Sequence, residues 1–186
     1  MQSADKLARL KEIVRERSFS EGEAKTLASG RTSSFYFNMK MTMSQPEGLV
    51  LIADLMLEKL AEGPCDVVGG LAMGAVPIVN AISMRSFQAG APVPLIWIRK
   101  EAKEHGTQAT IEGEDIANLV GKTAVMVEDV TTTGGSVMKA IETVRAHGVT
   151  VDRVITIVDR LEGAEAALKE KGLTLSCLLD ADDFRT

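Results

Sequence analysis

Apolar residues recur along this chain at two periods, and the switches between them mark out its segments. Leu7, Leu10, Ile13 and Val14 fall three or four residues apart, so an amphipathic helix is expected at the start. The stretch "AKTLASGRTSSFYFNMK" (24–40) reads as two short strands around a Ser-Gly-Arg turn, with Phe35 and Phe37 on one side and Tyr36 on the other. Ser44 and Glu47 have capping-box spacing and Pro46 suits a first helical turn, which predicts a helix from there to about Leu60. Beyond it, "DVVGG" (66–70), "VPLIWI" (93–98), "KTAVMVED" (122–129), "VDRVITIVD" (151–159) and "LTLSCLLD" (173–180) are apolar runs of strand length. The segments "AVPIVNAISMRSF" (75–87), "GGSVMKAIETVRAHG" (134–148) and "EGAEAALKEKG" (162–172) read as helices between them. Short apolar strands alternating with helices predict an α/β domain, a mostly parallel sheet flanked by helices. Ligands of such sheets sit at the carboxyl ends of strands, so each strand-to-helix loop is a candidate site.

Composition narrows the class. The chain has 186 residues, enough for one domain with a sizeable core, and is 45% hydrophobic and 25% charged, as globular proteins are. A formal net charge of −5 argues against general nucleic-acid binding. Cys65 and Cys177 lie in apolar contexts without metal-ligand spacing and read as buried free thiols, which suit a reducing cytoplasm. No apolar run approaches the roughly 18 residues of a membrane span, and the first residues are amphipathic rather than signal-like. A cytoplasmic protein without membrane association is expected.

The densest chemistry is in "VMVEDVTTTGGSV" (125–137). An apolar strand is expected to stop at Glu128 and Asp129, and a loop of Val130, Thr131, Thr132, Thr133, Gly134, Gly135 and Ser136 leads into a helix. Free N–H groups at a helix start bind anions, glycine lets them approach, and the hydroxyls add donors. Such a loop is suited to phosphate. The acids cannot bind phosphate directly, so they either accept hydrogen bonds from sugar hydroxyls or hold a divalent cation. A P-loop is excluded because Ser136 and Val137, not lysine, follow the glycines, and Leu71 breaks a dinucleotide fingerprint in "GGLAMG" (69–74). Taken alone, "TTTGGS" would also serve as a helix cap and flexible turn, and "GGLAMGA" as a tight turn with close helix packing.

The segment "RKEAKEHG" (99–106) carries Arg99, Lys100, Lys103 and His105 against Glu101 and Glu104, so it is locally positive on an acidic chain. With "TQATIEGED" (107–115) after it, this makes 17 residues of surface loop without apolar periodicity. Such a loop is either a solvated charged segment or a lid that brings cations to an anionic leaving group. His147 ends a helix before Gly148, where it interacts with the dipole, and no function is assigned to it.

"VMVEDVTTTGGS" resembles the phosphoribosyl-pyrophosphate (PRPP) signature of type I phosphoribosyltransferases. Four further stretches are similar to those of the orotate phosphoribosyltransferases within that family. They are "WIRKEAKEHG" (97–106), like the mobile catalytic loop, "VGGLAMGAVPI" (68–78), like the pyrophosphate loop, "LASGRTSSFYFN" (27–38), like the N-terminal substrate hood, and "IVDRLEGA" (157–164), like the orotate-side segment. The resemblance implies one domain over 1–186, with a helix and small hood over about 1–45 and a PRPP-binding α/β core over about 46–180. It implies transfer of phosphoribose from PRPP to orotate in pyrimidine synthesis, with Mg2+ held mainly through PRPP and no direct protein ligands. Lys103, His105 and Asp129 are the implied catalytic residues. Arg99, Lys100, Glu128 and residues 130–136 join them in binding PRPP, and Thr132 and Arg160 bind orotate; the competing reading of Arg160 is an ion pair with Asp159 or Glu162 that only orders the loop. One of Phe35, Tyr36 and Phe37 is expected at the base, although alternating aromatics in a strand are also ordinary core. A homodimer sharing the 99–113 loop across its interface is implied as well. The chain departs from the family in having Ala28 where some members carry lysine. Either Lys25 substitutes or the site works without this cation. A type I enzyme acting on a purine or uracil, and a non-catalytic regulator that senses PRPP or binds RNA, are the competing readings. The 99–106 segment and the hood argue against the first, and the absence of an added DNA-binding domain or basic face against the second.

Overall fold

The computed structural model describes residues 2–26, 32–100 and 110–185, with backbone alone for 23–26 and 32–34. Helix α1 (Ser3–Arg17) buries Leu10, Ile13 and Val14, the stripe expected from spacing, and ends in Arg15 and Arg17, which favour the negative end of its dipole. Strands β1 (Phe19–Thr26) and β2 (Thr32–Phe37) pair antiparallel, with Phe19 opposite Phe37 and Glu21 opposite Phe35. Phe37 is buried and Tyr36 exposed, as alternation requires. A short helix that periodicity did not reveal, α2 (Met39–Met43), follows, and then α3 (Pro46–Leu60).

The start of α3 corrects the expected capping box. Ser44 closes α2, its hydroxyl donating to the Met41 carbonyl at 3.1 Å, and the cap of α3 is Gln45, whose side chain accepts from the Gly48 N–H. Glu47 turns instead to Arg9 at 2.8 Å, whose hydrogen bonds hold its carboxyl below the usual range. The far end of α3 is closed by Arg153, whose guanidinium donates to the carbonyls of Lys59, Leu60, Gly63 and Pro64 and satisfies carbonyls a helix leaves open.

The central sheet has six strands in the order β5-β4-β3-β6-β7-β8. These are β3 (Val67–Leu71), β4 (Leu95–Ile98), β5 (Ile111–Gly113), β6 (Thr123–Thr131), β7 (Thr150–Asp159) and β8 (Thr174–Asp180). All neighbours are parallel except β4 and β5. The antiparallel strand β5 lies in the stretch expected as loop. Three residues at a sheet edge are too few to show a period. Val68, Val125, Val127, Ile155 and Ile157 face α1, α3 and α4 (Val76–Gln88). Val67, Ile96, Ile98, Ala124, Met126 and Val154 pack with α5 (Gly135–Arg145) and α6 (Ala164–Lys169). Burial on both faces is why these strands read as continuous apolar runs.

Cys65 and Cys177 are half-buried rather than fully enclosed, and burial pushes both thiols up to about 11. Among the described residues no helix is long and apolar enough to cross a membrane.

At the end of β3, backbone and helix meet closely. A Cβ on Gly70 would overlap Ala75 Cβ and lie 3.1 Å from the Val127 carbonyl oxygen. Gly70→Ala should therefore destabilise the fold by about 1–3 kcal/mol, as overpacking does. Urea unfolding measures this, and an unchanged midpoint would show that β3 and α4 separate at no cost.

Candidate active site

The parallel register brings the carboxyl ends of β3, β6 and β7 to one edge of the sheet. Strand β6 does not stop at its two acids, as its composition suggested. It continues to Thr131, paired with Asp159 at the end of β7, and Glu128 lies opposite Thr156. Pairing with β7 alone carries the strand past the point where its side chains stop being apolar, since β3 pairs no further than Val127. The acids thus sit inside the sheet edge.

A cleft of about 340 Å³ opens here, lined by Glu128, residues 130–137 and Lys139. Gly134 takes a left-handed conformation (φ 79°) that starts α5 without strain, and Gly135 and Ser136 form its exposed first turn. Thr132 and Thr133 are half-buried at the cleft. Thr131 behaves differently: it is buried, and its hydroxyl donates to Asp159 Oδ1 at 3.1 Å. The same Asp159 oxygen accepts the Leu161 N–H at 3.1 Å, so one carboxylate ties β6, β7 and the following turn together. Asp159 was not among the expected substrate-binding residues; its signal was an acid closing a strand whose second half is buried throughout.

Glu128 is 9% exposed, and its Oε2 has no hydrogen-bond partner among the described residues. Burial pushes its carboxyl well above the ordinary range; the charge of Asp129 and a hydrogen bond to it add to this, and Lys100 opposes it. Asp129 is half-buried and lies against the loop after β3: a Cβ on Gly74 would sit 2.8 Å from Asp129 Oδ1. Glycine is needed for these walls to meet. In that loop the Ala72 N–H donates to Ile98 O and that of Ala75 to Leu71 O, leaving Met73 and Gly74 without a backbone acceptor among the described residues.

Arg99 and Lys100 follow β4 and line a second cleft, of about 250 Å³, which shares Ser136 and Lys139 with the first. Arg99 pairs with Glu112 at 3.2 Å. Lys103, His105 and Ala28 lie outside the described residues, as does the side chain of Lys25. His147 is engaged with the Thr143 carbonyl at 2.9 Å, at the opposite end of α5 from the cleft.

Arg160 lies directly beyond β7, its N–H donating to Thr131 O at 3.0 Å, so it does share the edge with the phosphate-type loop. Its guanidinium is buried, pairs with Glu162 at 2.8 Å and reaches Phe35 O at 3.4 Å. It also stacks on the Phe35 ring at 4.6 Å, with Arg185 over the same ring at 4.5 Å. Of the three hood aromatics, Phe37 is therefore core, Phe35 is packed between cations and Tyr36 is exposed.

A parallel α/β sheet with an acid pair and a threonine-glycine loop at its carboxyl edge defines a phosphoribosyltransferase domain, and the family profile "Phosphoribosyl transferase domain" matches residues 41–182. The chain is 52% identical over 178 residues to the orotate phosphoribosyltransferase of Bradyrhizobium sp. (strain ORS 278), covering 95% of this chain and 96% of that one. Among solved structures it is similar to the Mycobacterium tuberculosis H37Rv orotate phosphoribosyltransferase in complex with Fe(III) dicitrate, at TM-score 0.83 and 36% identity over 97% and 99% of the two chains. The same enzyme in complex with PRPP matches at TM-score 0.78 and 33% identity over 96% and 98%. The chain belongs to the orotate phosphoribosyltransferase family.

The buried acid has a consequence for stability. A carboxyl raised above its unfolded value binds its proton more tightly when folded, so stability falls as pH rises from the unfolded toward the folded pKa. Glu128→Gln should stabilise the ligand-free protein by about 1–3 kcal/mol at neutral pH, the usual penalty of an unsatisfied buried polar group. The gain should vanish below the ordinary carboxyl range, where both states are protonated. Thermal unfolding across pH measures it; a gain independent of pH would refute the titration.

Proposed function

We propose that this chain transfers the 5-phosphoribosyl group of PRPP to orotate, giving orotidine 5'-monophosphate and pyrophosphate, with the loop after β6 as phosphate anchor. The observation that carries this is the cleft where the acids of β6 meet the open first turn of α5. In this reading Thr132, Thr133, Gly134, Gly135 and Ser136 hold the 5'-phosphate against the free N–H groups of α5. Val130 and Thr131 form the wall behind it, with Thr131 acting through its bond to Asp159. Asp129 and Glu128 orient the ribose hydroxyls, and Asp129 is the acid nearer the loop of Gly74, on the side where pyrophosphate would lie.

The reaction is displacement at the anomeric carbon, with positive charge shared by the ring oxygen as the bond to pyrophosphate breaks. Arg99, Lys100, Lys103 and His105 are assigned to the leaving group, where cations gain most as charge builds. Mg2+ suits this donor set: it keeps waters and takes one or two carboxylates beside phosphates, and the open acid pair is not a closed cage. Among the described residues no group of three or more ligating side chains occurs. When bound through PRPP oxygens, Mg2+ supplies charge neutralisation to the pyrophosphate. Thr132 and Arg160 are assigned to orotate. The active unit in this reading is a cytoplasmic homodimer in which the 99–113 loop serves the neighbouring site.

Incubation with PRPP, Mg2+ and a panel of free bases should release pyrophosphate with orotate and not with purines or uracil. Release with another base alone would overturn the reading. Arg160→Ala should raise the orotate KM roughly 10- to 150-fold, the value of a buried charge-assisted bond, and leave PRPP binding nearly unchanged. Glu162→Gln, which removes the competing carboxylate, should lower that KM. Equal loss of both substrates in Arg160→Ala would mean that Arg160 only orders the turn.

The shared loop has its own check. Mixing inactive Lys103→Ala with inactive Asp129→Asn should restore activity through hybrid dimers, one of whose sites carries neither change. Hybrids that form and stay inactive would exclude sharing.

A further inference from the structure

Lys139 lies on the second turn of α5, four residues beyond Gly135, and lines both clefts. Helical side chains lean toward the N-terminus of their own helix. A four-carbon stem leaning this way is long enough to reach the first turn, where Gly135 and Ser136 open the cleft that Lys139 lines. The residue is exposed, and its ammonium forms no ion pair or hydrogen bond with any described residue, although Glu142 lies three positions further on.

The neighbouring cations behave otherwise. Arg145, on the same helix, donates to the Val151 carbonyl, and Arg99 pairs with Glu112. The dipole gives a cation in this half of α5 no stabilisation, since it favours cations at the opposite end. Neither the dipole nor an internal partner engages this lysine, so its ammonium is available to a phosphate in the cleft it lines.

We propose that Lys139 is a further binding residue of this enzyme, adding a point charge to the N–H and hydroxyl donors that hold the 5'-phosphate of PRPP. This rests on the reading of the 130–136 loop as phosphate anchor. The 5'-phosphate takes no part in bond breaking, so the contribution is equal in the ground and transition states and lowers KM without changing kcat. A lysine needs no fixed fork geometry to do this, and arginine can replace it.

The test compares wild type, Lys139→Ala and Lys139→Arg, using steady-state kinetics with PRPP and inhibition by inorganic phosphate. Alanine favours an exposed helix position, so the variant folds. Lys139→Ala should raise the PRPP KM about 3- to 10-fold, a charge-assisted contact discounted for exposure. It should weaken phosphate inhibition by a similar factor and leave kcat and the orotate KM unchanged, while Lys139→Arg retains wild-type values. A Lys139→Ala enzyme with wild-type PRPP KM and phosphate inhibition overturns the proposal and leaves the anchor reading standing. Wild type insensitive to phosphate and idle with PRPP would overturn the anchor reading itself, and this inference with it.

Discussion

The site depends on the parallel register of β3, β6 and β7. Val67 pairs with Ala124 and Gly70 with Val127, so β3 ends level with the acids, while β6 and β7 run on together to Thr131 and Asp159. That difference in length makes the cleft. The loop after β3 is released beside Asp129, and the loop after β6 only beyond it. Backbone hydrogen bonds set the offset, and glycine at positions 70 and 74 lets the shorter strand and its loop close against the longer one. A side chain at either place would force the walls of the cleft apart.

The same geometry makes Glu128 costly. It occupies a strand position whose neighbours are apolar or engaged, beside a second carboxyl, with one oxygen lacking a partner among the described residues. An isolated fold would favour an amide or an apolar residue there. Sites that bind polyhydroxylated or charged ligands routinely hold groups that the empty fold disfavours, because the ligand supplies the missing partners. The buried acid is thus physical support for a ligand with hydroxyl or cationic character, independent of any similarity to other proteins.

The N-terminal hairpin is attached to this edge through aromatic and guanidinium contacts. Phe19, Phe37 and Phe184 pack with ring centroids 5.1–5.4 Å apart. Phe35 joins the group and receives Arg160 on its ring. Arg160 consequently links three things: the end of β7, the hairpin and Glu162. Its orientation is therefore set by contacts within the protein, with donors shared between Glu162 and the Phe35 carbonyl.

Much of this was legible in the order of residues. The fold class followed from apolar runs alternating with amphipathic segments, because a parallel sheet buried on both faces needs both. The loop after β6 was legible because glycines, hydroxyls and acids in that order have few other uses. What the sequence could not display were features made by contact between distant segments. Strand β5 exists only because β4 offers it an edge. Gln45 caps α3 only because α2 takes up Ser44. Thr131 turns from the cleft to Asp159, and Arg160 is held by Glu162 and Phe35, because β6, β7 and the hairpin converge there. Local pattern determined the fold class, most of the elements and which loop gathers acids, hydroxyls and glycines. Only the packing of those elements decided which side chains are free to meet a ligand, since a donor engaged elsewhere looks the same in sequence as one that is not.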